Sequence, residues 1–163
     1  MLNNLTLRTM SKFIMAMEGT PGWQERSTAK EYHATKLGRA AGDVFLTELM
    51  PLPCPGIHVW PYPSIFPTKA DYHTQVRPGR IKWLRSEISK FHPDFVICYG
   101  KGNWPHYKEI FSDVEFTPKL NEQIHVGKRE HSTIMLVRFL SPDLVSTTLI
   151  QEIADLWGQT PTD

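Results

Sequence analysis

Residues 93–104 read PDFVICYGKGNW, an apolar run that breaks at a glycine and then enters a helical pattern. The five β-forming residues from Phe95 to Tyr99 contain no polar side chain, which predicts a strand covered on both faces. Gly100 and Gly102 allow a tight turn and a close approach of the backbone to a ligand. Since open α/β folds bind ligands at the carboxyl ends of their strands, we expect a binding site just after Tyr99.

The segments on either side alternate between helical and extended patterns. They predict helices over 5–17, 27–41, 77–91, 104–111 and 145–157, strands over 43–49, 95–99 and 131–139, and one or two short strands between 114 and 126. This alternation is typical of a three-layer α/β/α sandwich with a short, mainly parallel sheet.

We expect one α/β domain over residues 1–163, with a helical N-terminal segment over 1–41 and the sheet core over 42–158. Helical crossovers separate the strands at 43–49, 95–99 and 132–137. These three are therefore predicted to be parallel neighbours.

Composition favours a folded domain and excludes some classes of function. The chain has 163 residues, 40% of them hydrophobic and 21% charged, with a net charge of +1. No apolar run reaches the roughly 18 residues that a membrane span needs. Residues 1–17 lack the apolar core of a signal peptide, so we expect a cytoplasmic protein with no membrane partner.

The cysteines and histidines predict no metal site. Two cysteines, Cys54 and Cys98, are too few for an iron–sulfur cluster, and Cys98 lies within a predicted strand. The seven histidines show no metal-ligand spacing. We expect no metal and no cofactor.

Several polar residues lie at or just past predicted strand ends. Glu48 ends the 43–49 run and is a candidate catalytic base, with a salt bridge to Arg77, Arg80 or Lys101 as the structural alternative. The candidate ligand- or phosphate-binding residues are Lys101, Asn103, Arg138 and Ser141. Lys101 could equally be a solvated lysine on a structural turn, and Ser141 could cap the last helix.

The proline-rich stretch 51–75 has no period and carries several aromatic residues. Trp60 and Tyr62 are candidates for stacking on nucleic-acid bases, because aromatic side chains near cations suit that role. Packing of these rings against the edge of the core is the alternative. A loop of this length within a compact domain is usually functional.

From residue 42 to 157 the order of motifs resembles the uracil-DNA glycosylase superfamily. The matching pieces are LTELMP at 46–51, the arginine-bearing helix at 77–91, PDFVICYG at 93–100 and VRFLSP at 137–142. The resemblance implies an α/β/α fold of that family and a DNA or nucleobase-containing ligand at the carboxyl edge of the sheet.

The chain departs from the family at its catalytic positions. Glu48 stands where the family carries a base-reading Asn, and Phe139 where it carries a His. The family's first strand has no counterpart in this sequence, and only residues 21–23 weakly resemble its Gly-x-Asp/Asn-Pro loop. This would fit a chain shortened at its N-terminus. An ionised Glu cannot donate as an amide does, and Phe cannot stabilise an oxyanion.

We therefore predict a divergent uracil-DNA glycosylase-like protein that binds DNA or a nucleobase ligand and does not excise uracil in the ordinary way. If it is active, it would be a DNA glycosylase-like hydrolase. The sequence leaves two alternatives open. One is a non-catalytic interaction module with a vestigial pocket, and the other is an unrelated small-molecule enzyme that uses Glu48.

Overall fold

The computed structural model describes residues 5–56, 58–138, 140 and 145–158. Its helices are α1 (Leu5–Met17), α2 (Arg26–Thr35), α3 (Lys69–Phe91), α4 (Trp104–Ile110) and α5 (Thr147–Gly158). Its strands are β1 (Phe95–Tyr99), β2 (Thr117–Lys119), β3 (Ile124–Arg129) and β4 (Ser132–Val137). The predicted α/β class is confirmed, and each predicted helix is present, most of them with shifted ends.

The sheet is mixed, with the strand order β1-β4-β3-β2. β3 pairs antiparallel with both β2 and β4. β1 and β4 run parallel, since the Thr133 N–H donates to the Asp94 carbonyl at 2.9 Å and, further along both strands, the Gly100 N–H donates to the Val137 carbonyl at 3.1 Å. Two of the three strand pairs are antiparallel, so the prediction of a mainly parallel sheet is wrong.

A tight hairpin explains this difference. Only Glu130 and His131 separate β3 from β4, and Glu130 adopts a left-handed backbone conformation with φ of 53°. A two-residue connection joins antiparallel strands only. The sequence signal was weak because the turn carries none of the Gly or Asn residues that usually mark such hairpins.

The prediction of a strand at 43–49 is also wrong. The segment is irregular, and Phe45 is 66% exposed although its pattern suggested a buried β-former. The Arg80 guanidinium donates to the Glu48 carbonyl at 2.6 Å and to the Thr47 hydroxyl at 3.1 Å. A side chain therefore satisfies a backbone group that a neighbouring strand would otherwise pair.

β1 is a strand as predicted, but it lies at an edge of the sheet. Cys98 is buried and the other four residues of β1 are half-buried. β4 takes the central position expected for β1, and all six of its residues are buried. The apolar run at 95–99 thus marks an edge strand.

The chain divides into two compact units. The first comprises Met1–Leu46, Tyr99–Lys101 and Val137–Asp163, and the second comprises Thr47–Cys98 and Gly102–Leu136. In the first unit α1 packs against α2 and α5, with Phe13, Ile150 and Ile153 fully buried. Whether both units form the single predicted domain, and the three-layer arrangement with it, stays a prediction.

In the second unit one face of the sheet packs under α3 and α4. The core members are Leu49, Ile81, Leu84, Cys98, Trp104, Tyr107, Ile110, Phe111, Ile134 and Leu136. Burial raises the pKa of the Cys98 thiol to about 12, so this cysteine stays a neutral apolar side chain. None of the described helices is long and apolar enough to cross a bilayer.

Gly127 in β3 allows the chain to pass close to the sheet. A Cβ atom at this position would lie 2.3 Å from a Val114 methyl and 2.9 Å from the Glu115 carbonyl oxygen. Both distances are far below van der Waals contact. The residue must therefore be glycine for segment 114–116 to pack where it does.

Candidate functional site

Helix α3 changes character along its length. It begins with a capping box between Thr68 and Asp71, and it contains a proline at position 78. In its second half Ile81 and Leu84 are buried in the core.

The same helical face in the first half is cationic. It carries His73, Arg77 and Arg80, spaced by four and three residues and thus in line with Leu84. All three of these basic side chains are half-buried. The face that holds the helix to the core thus becomes polar towards the N-terminus of the helix.

His73 and Arg77 form a close pair. The Arg77 guanidinium lies 2.7 Å from the His73 Nδ1 atom. Because arginine can only donate, Nδ1 must accept, and His73 is neutral in this arrangement. The pKa of His73 lies below its usual range through burial first and then through the charges of Arg77, Lys69 and His106.

His106, on α4, faces the same group. Its pKa is lowered by burial and then by the Arg77 charge, while Glu109 acts in the opposite direction. Each histidine therefore experiences the field of Arg77. The two imidazoles and the guanidinium converge from two helices.

Arg80 lies one turn beyond Arg77. Besides its hydrogen bonds to residues 47 and 48, its guanidinium carbon lies 4.3 Å from the centre of the Trp83 ring, a cation–π distance. The Nε atoms of Arg77 and Arg80 are both buried without a hydrogen-bond partner. We call His73, Arg77, Arg80 and His106 the cationic cluster.

The cluster contains two arginines with no carboxylate partner among the described residues. The ion pairs found in that part of the chain are His92–Glu130 and Arg129–Asp113. A partly buried guanidinium that lacks a counter-ion raises the free energy of the folded state, and a bound anion would remove that cost. The arrangement is therefore suited to binding phosphate or carboxylate groups.

Two of the predicted site residues influence the pKa of the Tyr107 hydroxyl. Burial is the main cause that raises the pKa of the Tyr107 hydroxyl, and the Cys98 thiol raises it further. A hydrogen bond from Asn103 lowers this pKa, whereas the Glu48 charge raises it. Asn103 and Glu48 thus both act on this hydroxyl. The Glu48 side chain is exposed, and its main-chain carbonyl is the group that contacts Arg80.

Lys101 and Arg138 lie at the carboxyl ends of neighbouring strands. Each directly follows a member of the hydrogen-bonded pair Gly100 and Val137, and both side chains are exposed. They belong to the first unit, whereas Glu48 and Asn103 belong to the second. Ser141 lies outside the described residues, so convergence of all the predicted ligands stays a prediction.

The aromatic residues of the 51–75 loop pack against one another. The Trp60 ring centre is 5.2 Å from Tyr62 and 5.3 Å from Tyr72, which is itself only 2% exposed. The Trp60 indole donates to the Phe66 carbonyl at 2.8 Å, and the Tyr62 hydroxyl donates to the Pro53 carbonyl at 2.8 Å. These contacts favour a packing role for Trp60 and Tyr62, although both of these rings are still half-exposed.

The cationic cluster was not identified from the sequence. The amphipathic pattern of α3 predicts that Arg80 points outward with Arg85, yet both are half-buried. The only signal was the helical spacing of cationic residues in line with the apolar stripe. In the described part of the chain no three His, Cys, Asp or Glu side chains lie close enough to hold a metal ion.

Comparisons with protein-family models, with curated proteins and with solved structures gave no match to this chain. The resemblance to uracil-DNA glycosylases therefore stays a prediction drawn from its motifs.

Proposed function

We propose that this chain binds single-stranded nucleic acid through the cationic cluster, with phosphate groups against Arg77 and Arg80. One observation carries the proposal: two half-buried guanidiniums share a helical face and lack carboxylate partners among the described residues. Arginine presents several donors in a planar fork that matches phosphate oxygens. This fits the DNA partner that the resemblance to uracil-DNA glycosylases implies.

The surroundings of the cluster support a ligand that carries bases as well as phosphates. Trp83 is 38% exposed and lies beside Arg80, so a base could stack on the ring next to a bound phosphate. Asn103 can both donate and accept at a base edge, and Glu48 can accept. Trp60 and Tyr62 present half-exposed rings in the same unit.

Fluorescence anisotropy with a short single-stranded oligonucleotide, measured over a range of salt concentrations, tests the proposal. The double variant R77Q/R80Q should bind at least about a hundredfold more weakly, since removal of each charged hydrogen bond costs about 1.5–3 kcal/mol. The slope of log affinity against log salt should also fall by about 0.7 for each phosphate that the variant no longer neutralises.

Lys82 and Lys90 supply the matched control. They lie on α3 and are exposed, and the variant K82Q/K90Q removes the same charge from the same helix. Its affinity should stay close to that of the parent chain. Equal weakening in both variants, or no salt-dependent binding by the parent, would reject the proposal.

Catalysis is tested separately with an oligonucleotide that contains uracil. We expect no release of uracil, because the exposed Glu48 replaces the amide that the family uses to read the base. Excision that is abolished in E48Q and kept in the control variant E109Q, which removes another exposed carboxylate, would make Glu48 a catalytic residue.

A second function has support from the exposed surface. Val59 and Ile65 are 49% and 65% exposed on the loop that also carries the half-exposed Trp60 and Tyr62. An apolar and aromatic loop of this kind would suit a surface that binds another protein. Failure to bind nucleic acid would favour this alternative, a protein-interaction module.

A further inference from the structure

The first unit contains a cavity that is separate from the cationic cluster. Its volume is about 360 Å³, within the range of small-molecule sites. Three helices contribute to its wall. The charged residues that line it are Arg8, Lys12 and Arg26.

The described charged residues on this wall are all cationic. Arg8 and Lys12 lie one turn apart on α1, and Arg26 is the first residue of α2. Among the described residues that line the cavity, none is acidic. Three cations around one small space repel one another, and an anion placed between them would remove that repulsion.

The three cations differ in what they bind. Lys12 donates to the Gln24 carbonyl, which fixes its position. The Arg8 Nε atom is buried and has no hydrogen-bond partner. Because this nitrogen is buried, a ligand in the cavity would bind the outer nitrogens of the Arg8 guanidinium.

The N-terminus of α5 adds further donors to the wall. Ser146 caps this 12-residue helix, since its hydroxyl accepts from the Leu149 N–H at 3.1 Å. Thr147 is the first helical residue and lines the cavity. The dipole of the helix favours negative charge at this end.

The remainder of the wall is apolar. Leu5, Ala29, Val145 and Ile150 contribute it, and three of these four side chains are buried. A bare inorganic anion would leave this part of the wall unused. The wall suits a molecule that carries both a doubly charged group and an uncharged body.

We propose that this cavity binds a small phosphate monoester. The phosphate lies against Arg8, Lys12 and Arg26, and the uncharged part of the ligand contacts the apolar wall. Arginine forks match phosphate oxygens, and the two negative charges of the group balance the cationic wall better than one carboxylate would. The inference is independent of the nucleic-acid proposal, because it uses other residues in another unit.

Isothermal titration calorimetry with ribose 5-phosphate, inorganic phosphate and ribose tests this site. We expect saturable binding of ribose 5-phosphate, weaker binding of inorganic phosphate and none of ribose. Equal affinity for the ester and for inorganic phosphate would overturn the role of the apolar wall. Binding of ribose as tight as that of the ester, or no binding of any of the three, would overturn the site.

Variants identify the residues involved. R8Q and R26Q should each weaken binding of ribose 5-phosphate by about 10- to 100-fold, the usual effect of removing one charged hydrogen bond. The control K30Q removes an exposed charge from α2 outside the cavity and should leave affinity unchanged. Equal weakening by K30Q would mean that net charge, rather than this cavity, attracts the ligand.

Folding of the variants is checked by circular dichroism. Arg26 is exposed, so R26Q still tests the site if R8Q does not fold. Unchanged affinity in a folded R26Q would exclude Arg26 from the site and overturn the proposal. The conservative R8K should bind more tightly than R8Q, since it restores the charge without the fork.

Discussion

The two halves of α3 present the same face to the protein but have different side chains on it. The second half presents Ile81 and Leu84 to the sheet, and both are buried. The first half presents Arg77 and Arg80, each with a buried Nε atom that has no partner. On this face one half contributes apolar burial to stability, whereas the other carries charged side chains whose Nε donors are unpartnered. Residues that stabilise a fold and residues that bind a ligand can therefore share one helical stripe.

The largest expected contrast between the two halves is in stability. Leu84→Ala should lower the free energy of unfolding by about 2–5 kcal/mol, because it leaves a cavity in the core. Arg77→Gln should change it by less than about 1 kcal/mol, or raise it, because the guanidinium that it removes is a partly buried charge without a carboxylate partner. Urea denaturation measures both. A destabilisation in Arg77→Gln as large as that in Leu84→Ala would show that both halves of α3 contribute equally to stability.

A second arginine on α3 sharpens the comparison. The Arg85 guanidinium donates to the carbonyls of Ile110 and Glu109 at 2.9 and 3.1 Å and to the Ser112 hydroxyl at 2.6 Å. It thereby satisfies carbonyls at the C-terminal end of α4. Arg85→Ala should cost about 1–3 kcal/mol by thermal or urea denaturation, since these acceptors lose their donor.

Lys82 is the control for that measurement. It is exposed on the same helix, and Lys82→Ala should change stability by less than about 0.5 kcal/mol. If Arg85→Ala and Lys82→Ala were equally mild, the satisfied arginine would contribute no more than a surface lysine. The structural role assigned to it would then be wrong.

The smallest expected effect is a dependence on pH. The pKa values of His73 and His106 lie below their usual range, so the unfolded chain binds protons more readily than the folded one. Stability should therefore decline as pH falls through the usual histidine pKa of about 6.5. A bound phosphate would oppose the effect of the Arg77 charge on the pKa values of both imidazoles. Affinity for an oligonucleotide should thus increase over the same range.

The double variant His73→Gln, His106→Gln should flatten both pH profiles. His131, which is exposed and contacts the His92 carbonyl, supplies the control His131→Gln, which should leave them unchanged. Profiles that stay the same in the double variant would show that other groups titrate in this range.

Local patterns predicted the helices and the strand at 95–99 because each of these signals lies within one segment. The antiparallel direction of β3 and β4 depends on a two-residue turn, Glu130-His131, whose composition does not indicate a hairpin. The failure at 43–49 has another cause, since an arginine more than thirty residues away satisfies its backbone. Side-chain contacts across such a distance leave no periodic trace in a sequence.

The candidate site was predictable only in part. Glu48 and Asn103 were singled out from their positions near predicted strand ends. Asn103 forms a hydrogen bond with Tyr107 and the Glu48 charge acts on the same hydroxyl, while the role of both as ligands stays a prediction. The cationic cluster was missed because amphipathic patterns are interpreted on the assumption that charged residues point away from the core. His73, Arg77 and His106 depart from that assumption, and departures of this kind are where function is most often found.

Pro78 interrupts the hydrogen-bond ladder of α3 and so divides the helix into two segments. It has no amide hydrogen, so the Thr74 carbonyl receives no hydrogen bond from it within the helix. The turns before it are therefore joined to those that cover the sheet by one hydrogen bond fewer. Amide hydrogens at 69–77 should exchange with solvent sooner than those at 81–88, and an oligonucleotide should slow exchange in the first segment alone. A proline in the middle of a helix would thus limit a ligand's protection of amide hydrogens to the turns before it. Exchange in the turns that pack on the core would stay unchanged.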